Sequence, residues 1–388
     1  MSGPGPIPPS IATPAYVIDI GRLRANLAVA DRIRREAGAK LLLATKSFAM
    51  PAAFPYMRDL LDGTTASGEY EARLAHETFG AKDGGTPKEV HCYSPAYTDA
   101  ELTALNGVAT HVYFNSACQL ARFGECASAQ GHAVGLRINP GYSNATLGGA
   151  LYDPCAPNSR FGEIPSELGA VDWSSVHTLH AHALCESKHE GSIGLIDHIA
   201  THFAAHVARV KAVNFGGGHF INKPGYDVGK LIAALRAFRA RFDVEVYLEP
   251  GGGLIVDAGY LVSTVVDTHR NGAHLGILDA SASCHMPDVL EVPYRPQIHG
   301  AGQPGEKAHT YILGGKTCMT GDVIGEYSFD KPLAPGDRIV FLDMAQYSFV
   351  KNNTFNGAPL PDLALLHEDG RYEVVKRFGY QDFAGRLS

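Results

Sequence analysis

The sequence predicts a (β/α)8 TIM-type barrel joined to a second, all-β barrel-like domain. Three observations carry this. Up to about residue 262, short β-rich runs alternate with stretches of helical periodicity, and strand–helix–strand repetition implies parallel pairing. The runs number eight, the count at which such a sheet closes into a barrel. Beyond that point β-rich runs are separated by Pro- and Gly-containing turns, with no long helix between them.

In chain order, residues 1–13 are rich in Pro and Gly and read as a flexible arm. The extended segment 14–19 precedes the first helical stretch and is expected to join the second domain. Barrel strands are expected at 41–46, 61–67, 90–94, 111–115, 133–139, 176–183, 211–217 and 244–250. Helices are expected at 21–37, 69–79, 116–129, 189–208 and 228–241. The stretch 140–170 carries Gly, Pro, Asn and Asp and reads as a loop inserted at one end of the barrel. Later strands are expected at 274–281, 309–315, 338–344 and 372–378. This gives a barrel over 20–262 and a β domain over 263–388, the latter with strand 14–19. No internal repeat is visible.

Composition narrows the function. The chain has 388 residues, 45% of them hydrophobic and 19% charged, as in ordinary globular proteins. The net charge is −7 with no basic run, which argues against nucleic acid as a partner and suits a cationic small molecule. Seven scattered cysteines without a CxxC pair read as reduced thiols in a cytoplasmic protein. The N-terminal segment lacks the pattern of a signal peptide, and no apolar run is long enough to span a membrane.

Active sites of (β/α)8 barrels lie at the C-terminal ends of the strands, so the residues there are the candidates. Lys46 closes the first strand; pointing into the mouth, it would be a desolvated amine able to attack a carbonyl, although alone it also fits a surface lysine. Gly216, Gly217 and Gly218 follow the seventh strand, where this fold commonly binds phosphate; the plainer reading is a tight turn. Glu249 closes the eighth strand, followed by Pro250 and Gly251. There it can pair with a protonated ring nitrogen or merely cap a loop. His182 follows the sixth strand and shares a strand face with His180, so it can pack on a flat cofactor or sit satisfied in the core. His180, His182, Cys185 and Glu186 are close in sequence, but no second ligand cluster has zinc spacing, and no metal is expected. An amine, a phosphate cradle, a ring stack and a ring-nitrogen acid are together what pyridoxal 5'-phosphate requires.

These residues, with the segments ATKSFA (44–49), HALCE (182–186), NFGGGH (214–219), CHMPDVLEVPYRP (284–296), GKTCMTGD (315–322) and QYSFVKNNTFNG (346–357), resemble the fold type III pyridoxal-phosphate decarboxylases. This is the alanine racemase-like group of ornithine and diaminopimelate decarboxylases. The resemblance spans about Tyr16 to Gly379. The HMPD region and the last block point to the branch acting on carboxylated polyamines, carboxynorspermidine and carboxyspermidine. The resemblance implies that Lys46 binds the cofactor covalently, His182 stacks on its ring, Gly216–Gly218 hold the phosphate, Glu249 pairs with the ring nitrogen and Tyr347 bonds the phosphate. It implies that Cys318 protonates the substrate carbon once CO2 has left. Cys318 and Asp322 are then expected to come from a partner subunit, making the enzyme a homodimer with shared sites. Asp288, Glu291 and Asp322 are expected to bind the substrate's amines, because an ammonium–carboxylate contact out of bulk water is strong. One departure is that many relatives continue the EPG turn with a polar residue, whereas here Gly252 and Gly253 follow. Sister substrates (diaminopimelate, ornithine, arginine) and a catalytically inactive regulatory homologue are the alternatives.

Overall fold

In a computed structural model, described here for residues 7–80, 87–144 and 152–388, the apolar runs form short parallel strands. The chain divides into two compact units, 25–254 and 1–24 with 255–388. After β1 (Ala15–Asp19), the strands of the first unit are β2 (Lys40–Ala44), β3 (Gly63–Ala66), β4 (Glu89–Tyr93), β5 (His111–Phe114), β6 (Ala133–Arg137), β7 (Thr178–His180), β8 (Ala212–Asn214) and β9 (Glu245–Leu248). Each pairs in parallel with the next, and β2 pairs with β9 through Lys40–Tyr247 and Leu41–Leu248, closing the expected barrel.

The helices between them start where the sequence supplies caps. Ser116 accepts the Gln119 N–H ahead of helix Ala117–Ala129, and Asp227 accepts that of Lys230 ahead of Val228–Phe242. Thr98 and Glu101 form a reciprocal capping box on helix Asp99–Leu105, an element not expected from periodicity because it is only 7 residues long. The loop expected at 140–170 follows β6. Residues 145–151 lie outside the described residues; Glu163 ties the rest to the strand, its N–H 2.9 Å from Arg137 O.

The barrel interior departs from the bulky aliphatic filling usual for this fold. Alternation turns Lys40 of β2, Glu89 and His91 of β4, His111 and Tyr113 of β5, His180 of β7, Asn214 of β8 and Tyr247 of β9 to the lumen. Gly135 on β6 makes room for one of them, since a Cβ there would lie 2.2 Å from the Tyr113 ring.

The second unit is a mixed sheet. It contains β1, β10 (Gly259–Asn271), β11 (Ala273–Leu278), β12 (His309–Gly314), β13 (Val323–Phe329), β14 (Arg338–Leu342), β15 (Asp362–Leu366) and β16 (Tyr372–Lys376). The order is β13-β12-β11-β10-β1-β15-β16, and β14 also pairs with β10. β10 faces two cores by alternation: Leu261 packs with Tyr16, Tyr327 and Phe341, while Tyr260 and Val262 pack with Val17 and Ala364. Truncating Leu261 to Ala would cost about 3 kcal/mol, as for other fully buried leucines. The helices of this sheet unit are short, Ala282–His285, Asp288–Glu291 and Tyr380–Ala384. The expected arm is not free over its described part: Ile11 is buried and its carbonyl accepts from Arg338 at 2.9 Å.

Candidate active site

At the C-terminal end of the barrel strands, Lys46 follows β2 on a turn fixed by its neighbours. Thr45 Oγ1 donates to Glu71 Oε2 at 2.7 Å and lies 3.0 Å from Thr65 O, and Ser47 Oγ donates to Ala44 O. Lys46 itself makes no hydrogen bond or ion pair among the described residues. Burial lowers its pKa, and Arg137 adds to the effect, while Glu249 and Glu71 oppose it. The residue therefore has the electrostatic neighbours of a nucleophilic amine.

Glu249 is 4% exposed. Its Oε1 accepts from Asn214 Nδ2 at 2.7 Å, and its Oε2 lies 3.5 Å from His180 Nε2. Burial alone would raise its pKa, but His180, His91 and the Asn214 amide outweigh that and keep the carboxyl ionised. His182 is desolvated and close to Lys46 and Arg137, all of which hold it neutral. Its Nδ1 accepts the Gly217 N–H at 3.2 Å, which fixes the ring and leaves the proton on Nε2.

The glycine triplet is more committed than the sequence suggested. The Gly216 N–H donates to Asn214 Oδ1 at 2.8 Å, and the Gly217 N–H is spent on His182. Only the Gly218 amide has no acceptor among the described residues. The triplet is glycine for steric reasons as well. Gly216 and Gly218 have φ of 67° and 83°, and a Cβ on either would lie 2.6 Å from His182 Cβ or 2.2 Å from Leu184 O. Gly251 lies equally close to the lysine turn, where a Cβ would be 2.2 Å from Ser47 Oγ.

Sequence reasoning assigned no role in the cofactor site to three residues of this mouth. Arg137, at the end of β6, donates to His182 O at 2.9 Å and stacks over Tyr93 and Phe161. Asn214 bridges Glu249 and the glycine loop. His180 is buried with neither ring nitrogen hydrogen-bonded, as is Arg137 Nε. A charged residue closing a barrel strand was the available signal for Arg137. The donor atoms of His180, His182 and Glu249 lie within 4.8 Å of one another, a spacing that could hold a metal ion. The group forms through Glu249 rather than through Cys185 and Glu186. With His182 Nδ1 and Glu249 Oε1 engaged by Gly217 and Asn214, we read it as an acid–imidazole pair.

In the sheet unit, three of the sequence segments converge. Asn353 N donates to Cys284 O and its Nδ2 to Ser283 O, joining the QYSFVKNNTFNG and CHMPD segments. Asn356 Oδ1 accepts the Cys318 N–H at 2.8 Å, joining the GKTCMTGD segment. Cys318 is exposed. Tyr347 is half-buried with φ of 49°, a strained backbone for tyrosine that costs about 1 kcal/mol. Asp288 and Glu291 both bind the ammonium of Lys351.

Asp322 differs from its expected role as a substrate ligand. It is 4% exposed, and its carboxylate accepts from Ser281 Oγ, Ala282 N and Thr317 Oγ1 at 2.6–2.9 Å. It caps helix Ala282–His285 and ties down the loop carrying Cys318, work that occupies both oxygens.

None of the seven cysteines forms a disulfide, and among the described residues no helix is long and apolar enough to cross a membrane.

Comparison with known proteins identifies the family. The chain is 38% identical to a carboxynorspermidine/carboxyspermidine decarboxylase of Campylobacter jejuni, over 97% of this chain and 98% of that one. It is also 38% identical to a carboxyaminopropylagmatine decarboxylase of Synechocystis, over 97% and 96%. The crystal structure of the C. jejuni carboxynorspermidine decarboxylase complexed with norspermidine superposes with a TM-score of 0.88 at 37% identity, covering 97% of this chain and all of that one. The family model described as pyridoxal-dependent decarboxylase, C-terminal sheet domain, matches residues 15–345, and with these relatives it establishes that the chain belongs to the pyridoxal-dependent decarboxylases.

Proposed function

We propose that this chain decarboxylates carboxynorspermidine or carboxyspermidine to norspermidine or spermidine, with pyridoxal phosphate held on Lys46. The observation that carries the reading is the barrel mouth, where an unpartnered, desolvated lysine lies within electrostatic reach of the buried, ionised Glu249. The residues present fit the cofactor. Arg137 Nε and the Gly218 amide are buried or loop donors wanting a polar partner. The glycines let that ligand approach a flat imidazole closely.

Lys46 Nζ would hold the cofactor covalently, His182 would lie on its ring, Glu249 would face the ring nitrogen, and Gly218, Gly251 and Tyr347 would surround the phosphate. Bound there, pyridoxal phosphate supplies an electron sink for the pair left by the departing carboxylate. Glu249, ionised and screened from water, keeps a proton on the ring nitrogen. His182, held neutral, adds no positive charge against the ring face. Cys318 Sγ, from the partner subunit of a homodimer, delivers the proton to the substrate Cα; Asp322 holds its loop in place. Asp288 and Glu291 bind the substrate's distal amines.

A second substrate, carboxyaminopropylagmatine, stands beside the first because the relative of that name is equally identical. The test is CO2 release by the purified, cofactor-loaded protein on carboxynorspermidine, carboxyspermidine, carboxyaminopropylagmatine, diaminopimelate, ornithine and arginine. Turnover of one of the first two with the highest kcat/KM supports the proposal. Preference for any other overturns the substrate, and no turnover with cofactor bound would favour a regulatory homologue.

A further inference from the structure

The lumen of the barrel carries a hydrogen-bonded column from the strand starts to the mouth. Lys40 Nζ donates to Glu89 Oε1 at 2.7 Å, and Glu89 Oε2 lies 2.9 Å from His91 Nε2. Tyr113 OH donates to His91 Nδ1 at 2.7 Å and accepts from Asn214 Nδ2 at 3.3 Å. Asn214 Nδ2 gives its other proton to Glu249 Oε1 at 2.7 Å, and Asn214 Oδ1 accepts the Gly216 N–H at 2.8 Å.

The Asn214 amide thus has every polar group engaged, and only one orientation satisfies them. Flipping it would set Oδ1 against a carboxylate and an NH2 against a backbone N–H. The side chain is fully buried, so no water relieves either clash. Held by this rigid donor, the buried carboxylate cannot rotate freely; Oε1 is committed to Asn214, and Oε2, 3.5 Å from His180 Nε2, is the oxygen that can face a ligand. The same amide also fixes the first peptide of the glycine loop. One side chain therefore ties the acid of the ring site to the loop beside it, and Gly135 leaves the space that lets Tyr113 anchor it.

The geometry points to Asn214, anchored by Tyr113, as a positioning residue that aims Glu249 at the cofactor's ring nitrogen, an inference that rests on the pyridoxal-phosphate reading above. Asn214 acts through Glu249 and touches neither substrate nor the reacting bonds.

The test separates aiming from general support by comparing two ligands that differ only at the ring nitrogen. The full chain, stripped of cofactor, is titrated with pyridoxal phosphate and with its 1-deaza analogue, in which CH replaces the nitrogen, following intrinsic fluorescence. The wild type should prefer pyridoxal phosphate by about tenfold or more, the worth of one charge-assisted hydrogen bond. In Asn214→Ala that preference should shrink by about tenfold, while affinity for the deaza analogue changes much less. An Asn214→Ala protein that loses affinity for both ligands by the same factor, or for neither, overturns the role. Should Asn214→Ala not fold, Tyr113→Phe decides: the preference falls by about threefold if the anchor matters, and an unchanged preference overturns it. A wild type that binds both ligands equally also overturns it. A wild type that binds neither overturns the pyridoxal-phosphate reading itself, which keeps the two failures distinct.

Discussion

Lys351 donates its ammonium to the carboxylate of Asp288, and the same ammonium reaches Glu291. Both acids were expected to bind the amines of a polycationic substrate, yet the chain already supplies a cation to them. Burial would lower the Lys351 pKa, but the two carboxylates overcome this and raise it. A tethered ammonium competes with a free one at high effective concentration. Replacing Lys351 with Met should therefore lower KM for a carboxylated polyamine. Asp288→Asn and Glu291→Gln should each raise KM by about tenfold with kcat nearly constant, as for loss of a charge-assisted contact. Steady-state kinetics of the three variants checks this. A KM unmoved in both acid variants would leave the pair as Lys351's partners alone.

Lys46 offers a sharper test. With its amine gone, the covalent hold on the aldehyde should be lost; Lys40, the other lysine of the lumen, is bonded to Glu89 at 2.7 Å. Lys46→Ala should bind pyridoxal phosphate without the visible absorbance of the covalent adduct. Borohydride treatment followed by peptide mass analysis should label wild-type Lys46 and nothing in the variant. A labelled lysine elsewhere in Lys46→Ala would move the attachment site. Stability should change little, because Lys46 makes no hydrogen bond or ion pair among the described residues.

The sequence made the barrel readable because its strands are apolar runs bounded by helices, and strand ends then located Lys46 and Glu249 without further information. β13 and β15 were not expected: VIGEYSF is interrupted by Gly325 and Glu326, and β15 follows a Pro-rich turn, so neither run stands out. Partners of the glycine amides were hidden for a different reason. Whether Gly217 donates to a phosphate or to His182 depends on how β7 and β8 are set side by side, which only the closed sheet determines. The lumen column is illegible for the same reason, since His91, Tyr113 and Asn214 lie on three strands and each alone reads as a core polar residue. Asp322 was expected among the ligands of the substrate's amines, and its bonds to the start of helix Ala282–His285 were hidden because that short helix has no periodicity to reveal it.

Acid should destabilise the protein through its buried histidines. His219 bonds Ser192 Oγ at 2.9 Å, and burial lowers its pKa to about 4; His285, buried in the sheet unit, is lowered to about 4 as well. The folded form of each resists a proton that the unfolded chain takes near 6.5. Stability is thus complete above about pH 6.5 and is lost as pH falls towards 4, by about 3 kcal/mol for each histidine. Urea unfolding between pH 7.5 and 4.5 should show this slope. In His219→Asn the slope should be shallower even though the variant is less stable at pH 7.5. An equal slope would mean that His219 does not drive the acid limb.

The exposed Cys318 lets the shared-site proposal be tested without a new structure. If Cys318 serves the Lys46 of the partner subunit, Lys46→Ala and Cys318→Ala each damage both sites of their own homodimer. A mixed dimer then holds one site with both residues intact and one with neither. Random reassortment makes half the dimers mixed, so co-refolding the two inactive proteins in equal amounts should restore about a quarter of wild-type activity. If instead both residues served the site of their own chain, every site in the mixture would lack one of them, and activity would stay at the level of the separate variants. Assaying CO2 release before and after co-refolding distinguishes the two, and a monomeric mass in solution would remove the basis for sharing altogether.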